Sequence, residues 1–253
     1  AHSGHMITAE LTALAIERAR EQQQIPAGVF NMIYGDHIGA ELVQHPAIQA
    51  VGFTGSLRGG RALFDLAQRR AQPIPVFAEM SSINPLIVMP QALARRGQQI
   101  ARELVASFSL GCGQFCTKPG LIIGLRGQPF SEFVRELSAQ VNAAPAQAML
   151  NAGTLANYRR GLADLDEQNG IRHLAGHREE RPHLATAQLY QADFDLLLSG
   201  NPLLQEEVFG PAAILVEVED RRQLTAALDS LQGQLTATLL TENEDLADAE
   251  PLA

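Results

Sequence analysis

Short apolar runs alternate with helical stretches along nearly all of this chain, and that alternation limits the fold more than any other feature. Residues 29–33, 50–53, 75–78, 84–89, 120–124, 185–190, 212–218 and 235–240 read as strands. Residues 8–23, about 38–45, 57–70, 91–109, 129–142 and 220–231 read as helices, and 145–169 as mostly helical with a break at Gly153. In the first helix Leu11, Leu14, Ala15 and Arg18 share a face. In the longest, Ile100, Leu104 and Phe108 recur every four residues. Helices interleaved with strands, without repeats or a low-complexity linker, point to an α/β architecture.

Composition narrows the function classes. The 253 residues are 46% hydrophobic and 19% charged, with net charge −9 and pI near 5.2. Such an acidic chain, with no run of Lys or Arg, is not built to bind nucleic acid. No apolar stretch approaches the roughly 18 residues of a membrane-spanning helix, and no secretory signal pattern is present. Two cysteines without a disulfide framework suit a reducing cytoplasm. Ala1-His-Ser-Gly-His-Met6 reads as an expression scar.

The two cysteines lie in one segment, Phe108-Ser-Leu-Gly-Cys-Gly-Gln-Phe-Cys116-Thr-Lys-Pro. Gly111 and Gly113 flank Cys112, where glycine permits close approach or positive φ. Cys116 falls between a helix and a strand, outside a core. A thiol there becomes a nucleophile if its pKa is lowered, because thiolate is the reactive form. It is also open to a bland reading as a small hydrophobe. Half a metal site is disfavoured, because no second Cys/His cluster has fitting spacing. His173 and His177, four apart, read as a solvated helix or loop end rather than ligands.

Three further segments carry polar groups at useful places. Thr54, Gly55 and Ser56 follow a strand and precede a helix, where free N–H groups and the helix dipole suit a phosphate. An ordinary N-cap explains Ser56 equally well, and no Gly-x-Gly-x-x-Gly fingerprint is present. Glu79 ends a strand, on the side where α/β sheets place ligands; a solvated loop acid is the plain alternative. Glu207 and Phe209 sit in Asn201-Pro-Leu-Leu-Gln-Glu-Glu-Val-Phe-Gly-Pro211, as a surface acid and a core aromatic if they have no further role.

In this order, Phe53-Thr-Gly-Ser56, Ala78-Glu-Met-Ser-Ser-Ile-Asn-Pro85, Gly113-Gln-Phe-Cys116 and the segment 201–211 resemble four motifs of the aldehyde dehydrogenase superfamily. The resemblance covers nearly the whole chain after Met6. It implies part of a Rossmann-like coenzyme domain over residues 7–80 and an α/β catalytic domain over 81–253, cut short at its C-terminal end. It implies Cys116 as nucleophile and Glu79 as the base that activates water. Thr54, Gly55 and Ser56 would lie near the coenzyme pyrophosphate, Glu207 on the nicotinamide ribose and Phe209 beside the nicotinamide. The coenzyme would be NADP or NAD.

The pair Ser81-Ser82 stands where the superfamily commonly has two glycines. That variant resembles a subset acting on α-ketoglutaric semialdehyde (2,5-dioxopentanoate) and on fatty aldehydes, and the semialdehyde is the favoured expectation. The product would be 2-oxoglutarate, formed through a hemithioacetal and a thioester on Cys116. The resemblance also implies a central fragment of a larger enzyme, itself a dimer or tetramer of identical subunits. The oxyanion-hole asparagine and the adenine-ribose contacts would lie outside this chain, which alone is expected to be weak or inactive. Two alternatives stand beside this: a catalytically silent fragment, and another thiol enzyme. The second would need a histidine base, for which the seven histidines offer no motif. Coenzyme A-acylating relatives usually lack the base that Glu79 supplies.

Overall fold

In a computed structural model, which describes residues 3–35 and 38–245, the chain divides into two units, Ala1–Ser81 and Ser82–Ala253. Residues 1 and 2 of the presumed scar, and the chain end at 250–253, lie outside the described residues.

The first unit holds helices α1 (Met6–Gln22), α2 (Ile38–Gln44) and α3 (Leu57–Gln68) and strands β1 (Val51–Thr54) and β2 (Val76–Glu79). The strands pair in parallel, with Val51 opposite Val76 and Thr54 opposite Glu79. Val43, Ala67 and Ile74 form a small core with Ile48, Val51, Leu63, Leu66 and Val76 around it. Arg70 closes the end of α2, donating to the carbonyls of Val43 and Ile48 at 3.0 and 2.9 Å. None of α1 is buried, and Leu11 and Leu14 stay exposed on its apolar face. Residues 29–33, expected as a strand, are irregular, and Val29 is exposed. Apolar content does not suffice there, because a strand exists only through its hydrogen-bonded ladder.

The second unit is built on β3 (Pro85–Val88), β4 (Leu121–Leu125), β6 (Ile171–Ala175), β8 (Gln188–Ala192), β9 (Ala212–Val218) and β10 (Thr238–Leu240). These form one sheet in the order β10-β3-β4-β9-β8-β6, parallel throughout except for β6 against β8. Strands β3, β4 and β9 are almost wholly buried, as expected of parallel strands covered on both faces. Successive side chains divide between two cores. Leu86, Val88, Ile122, Ala213 and Leu215 pack against α4 (Pro90–Ser109) and α5 (Gln128–Ala143). Ile87, Leu121, Ile123, Ile214 and Val216 face α6 (Ala152–Glu167), α7 (Phe194–Leu198) and α8 (Arg221–Ser230). Two short strands, β5 (Gln147–Ala148) and β7 (Leu184–Ala185), pair separately.

Several expected elements are redrawn here. The run 185–190 splits between β7 and β8, which belong to different sheets. Gly153 lies inside α6 rather than breaking it, and the helix starts at an Asn151 cap accepting from the Thr154 N–H at 2.8 Å. His173 is no helix or loop end. It sits on β6, 2.9 Å from the Gln188 side chain and edge-on to the Tyr190 ring. Among the described residues no group of three or more His, Cys, Asp or Glu is placed to hold a metal, and no helix is long and apolar enough to cross a membrane.

Candidate active site

The helix α4 delivers the cysteine segment. Its apolar stripe, including Ile100, Leu104 and Phe108, is buried, and the chain leaves it through a tight turn over Leu110–Gly113. Gly111, Cys112 and Gly113 all take positive φ, at 54°, 59° and 66°. Glycine adopts this readily; cysteine at the middle position stores strain. Cys112 is buried, its backbone N–H held by the Gln147 side chain and its Sγ 3.2 Å from Met149 Sδ. Burial pushes its thiol up to about 11, so Cys112 is no nucleophile. Cys116 is exposed, and both thiols are free.

The turn that carries Cys116 is fixed by a residue whose role the motif alone does not disclose. Asn84 is buried and has φ 49°, a conformation asparagine tolerates better than most residues. Its amide nitrogen donates to the carbonyls of Cys116 and Lys118 at 2.8 and 2.9 Å. Its amide oxygen accepts from the Ser82 hydroxyl at 2.8 Å and from the Thr236 N–H at 3.2 Å. Gln234 completes the group by accepting from the Ile83 N–H at 2.7 Å. Asn84 thus holds the Cys116 carbonyl in place. Among the described residues the Cys116 N–H has no acceptor, which leaves it a donor open to a ligand.

The cysteine turn and the 207–211 loop, far apart in sequence, meet here. A Cβ on Gly113 would stand 2.3 Å from the carbonyl carbon of Gly210, so the two backbones touch. Gly210 lies against the Tyr158 ring, and the Tyr158 hydroxyl is 2.9 Å from the Thr186 carbonyl oxygen and 3.2 Å from that of Pro211. Lys118 is buried. Its ammonium donates to the carbonyls of Ala212 at 3.0 Å and Val208 at 3.3 Å. It is the only lysine in the chain, and that lone cation beside the thiol motif was the available sequence signal for it.

Glu207 lies mostly out of solvent. Burial raises its carboxyl to about 7, against the pull of the Lys118 charge and the Ser82 backbone. Burial lowers Lys118 to about 8, and the Glu207 charge opposes that. Glu207 Oε1 is buried and accepts no hydrogen bond. A buried acceptor left open suits a ligand that presents hydroxyl donors, as a ribose does. Phe209, two residues on, is partly exposed at 39%.

Within the first unit, Thr54, Gly55, Ser56 and Glu79 stand side by side. The Gly55 N–H donates to the Glu79 carbonyl at 3.0 Å, across the pair Thr54 and Glu79. Ser56 caps α3, its hydroxyl accepting from the Gly59 N–H at 3.1 Å, and the Ser81 hydroxyl takes the Leu57 N–H at 3.4 Å. The capping role weighed for Ser56 is therefore present, and two N–H groups of this helix start are already engaged. The site residues fall into two sets, Glu79 with the turn in one unit and Cys116 with Glu207 and Phe209 in the other. A cleft of about 400 Å³, lined in part by Leu155, Arg159, Leu162 and Arg178, contains none of them.

The model of the aldehyde dehydrogenase family matches residues 7–249. The chain belongs to that family. It is 55% identical over all of its 253 residues to an α-ketoglutaric semialdehyde dehydrogenase of Acinetobacter baylyi, and 44% identical to α-ketoglutaric semialdehyde dehydrogenase 2 of Azospirillum brasilense. In each case it covers 48% of the relative, so it spans about half the length of the curated relatives it matches. The fold is that of solved aldehyde dehydrogenases. Lactaldehyde dehydrogenase from Escherichia coli superposes with a TM-score of 0.77 at 23% identity, over 95% of this chain and 51% of that one. The NAD-dependent benzaldehyde dehydrogenase of Corynebacterium glutamicum gives 0.76 at 20% identity, over 93% of this chain and 51% of that one.

Proposed function

We propose that the protein carrying this chain oxidises 2,5-dioxopentanoate to 2-oxoglutarate with NADP or NAD, using Cys116 as nucleophile. The observation that carries the reading is the exposed Cys116 on a turn locked by Asn84 and in contact with the loop that bears Glu207. The semialdehyde is favoured over a fatty aldehyde by the 55% identity to a curated α-ketoglutaric semialdehyde dehydrogenase, and by the Ser81-Ser82 variant.

Each residue then has a task. The Cys116 thiolate adds to the aldehyde carbon, and its backbone N–H donates to the oxygen that becomes negative in the hemithioacetal. The open Glu207 oxygen would hold the coenzyme by accepting from its ribose hydroxyls, and Phe209 would flank the nicotinamide. The coenzyme, when bound, would supply the acceptor for the hydride that leaves the substrate carbon. Glu79 takes a proton from the water that hydrolyses the Cys116 thioester, and the carboxylate product departs. Thr54, Gly55 and Ser56 lie along the pyrophosphate. On this reading the unit Ala1–Ser81 supplies Glu79 and the pyrophosphate turn, and Ser82–Ala253 supplies Cys116, Glu207 and Phe209. The reading includes assembly of identical subunits and a reducing cytoplasm, which keeps Cys116 a free thiol.

The test is turnover of 2,5-dioxopentanoate by the whole protein, followed as reduced coenzyme. Cys116→Ser should lose at least about 10³-fold in kcat. Glu79→Gln should keep one fast turnover and then accumulate an acyl adduct on Cys116, visible by mass spectrometry of the thiol peptide. Activity retained in Cys116→Ser rejects the reading. The silent-fragment alternative predicts no adduct on Cys116 in Glu79→Gln.

A further inference from the structure

We propose that Lys118 is a positioning residue, whose buried ammonium is the counter-charge that favours the carboxylate form of Glu207 and ties the Glu207 loop to the cysteine turn. Three observations carry this. The ammonium is buried and donates to the carbonyls of Val208 and Ala212, immediately after Glu207 and just past the loop. The Lys118 backbone carbonyl shares the Asn84 amide with that of Cys116, so one residue is anchored in both segments. The same chain region contacts the loop again through Gly113 and Gly210.

The electrostatics follow from burial. An ionised carboxyl and an ammonium are each costly away from water, and each lowers the cost of the other. Lys118 acts on Glu207 by charge, while its protons go to carbonyl oxygens. Lys118 and Glu207 line one small cavity, and among the described residues the other charged side chain lining it is Glu206, on the same loop and exposed to water. The side chains that line this cavity from before β3 (Ile83), from α6 (Leu165) and from β9 (Ala212, Ile214) are apolar. With Lys118 neutral, Glu207 would hold its proton at neutral pH and offer a weaker acceptor. The proposal rests on the ribose reading of Glu207 only for what that acceptor receives.

The chain has one lysine, so a single 13Cε resonance reports Lys118 without assignment, and Glu207→Gln identifies the Glu207 13Cδ signal. In pH titrations of the full chain, Lys118→Met should raise the Glu207 midpoint by about one pH unit or more. Glu207→Gln, nearly the same shape and expected to fold even if Lys118→Met does not, should lower the Lys118 midpoint similarly. A midpoint that stays put in either folded variant overturns the proposal. Adding NAD or NADP to the whole protein tests the ribose reading separately. If the midpoints are coupled but neither coenzyme moves the Glu207 signal, the counter-charge stands and the ribose reading falls.

Discussion

Gly113 and Gly210 meet backbone against backbone, and a single added carbon on Gly113 would fall 2.3 Å from the Gly210 carbonyl carbon. Neither side of that contact is a flexible side chain, so nothing yields cheaply. Gly113→Ala should cost about 3 kcal/mol or more in urea unfolding, from overpacking added to positive φ. Gly111→Ala makes the contrast. Its added carbon would meet only the Phe115 ring, which is 49% exposed and has room to turn away. A cost near 1 kcal/mol, the left-handed penalty alone, is expected there.

Asn84 serves both the Cys116 turn and the 234–236 segment. Asn84→Ala removes its amide from a buried setting and leaves the carbonyls of Cys116 and Lys118 short of a donor. A loss of about 2–4 kcal/mol is expected in chemical denaturation. The rate of Cys116 alkylation should change in the same variant under conditions where it remains folded. An unchanged rate would mean that Asn84 supports the fold without setting the thiol's surroundings.

The two buried charges give the pH dependence of stability a definite sign. Glu207, raised from 4.5 to about 7, binds its proton more tightly when folded. Its contribution is full below pH 4.5 and is lost as pH rises to about 7. Lys118, lowered from 10.5 to about 8, binds its proton less tightly when folded. From about 8 to 10.5 its contribution therefore improves as pH rises. Thermal unfolding against pH should fall through the first window and recover through the second. The double variant Lys118→Met/Glu207→Gln should lose both slopes.

Much of the fold was legible because buried parallel strands leave long apolar runs. β3, β4 and β9 are such runs, and the helix α4 announces itself by Ile100, Leu104 and Phe108. β6 was not legible, since Ile-Arg-His-Leu-Ala carries two polar side chains and lies at a sheet edge. The helix α7 has only five residues, too few for a helical period. At the site, family resemblance singled out the residues of the four motifs, while the sequence alone assigns no role to Asn84, inside the second motif, or to Lys118, two residues after the third. Their roles depend on contacts with segments roughly 30 to 150 positions away, which no local spacing encodes.

The central claim is that Cys116 is a formed nucleophile beside a coenzyme-binding loop, and peptide-mapped alkylation of the whole protein tests it most directly. Rates for Cys116 and Cys112 would be followed against pH, with NAD, with NADP and without either. The expected result is rapid modification of the exposed Cys116, protection of Cys112 with its thiol near 11, and a Cys116 rate that changes with coenzyme. Equal reaction of the two thiols, or a Cys116 rate indifferent to both coenzymes, would contradict the account.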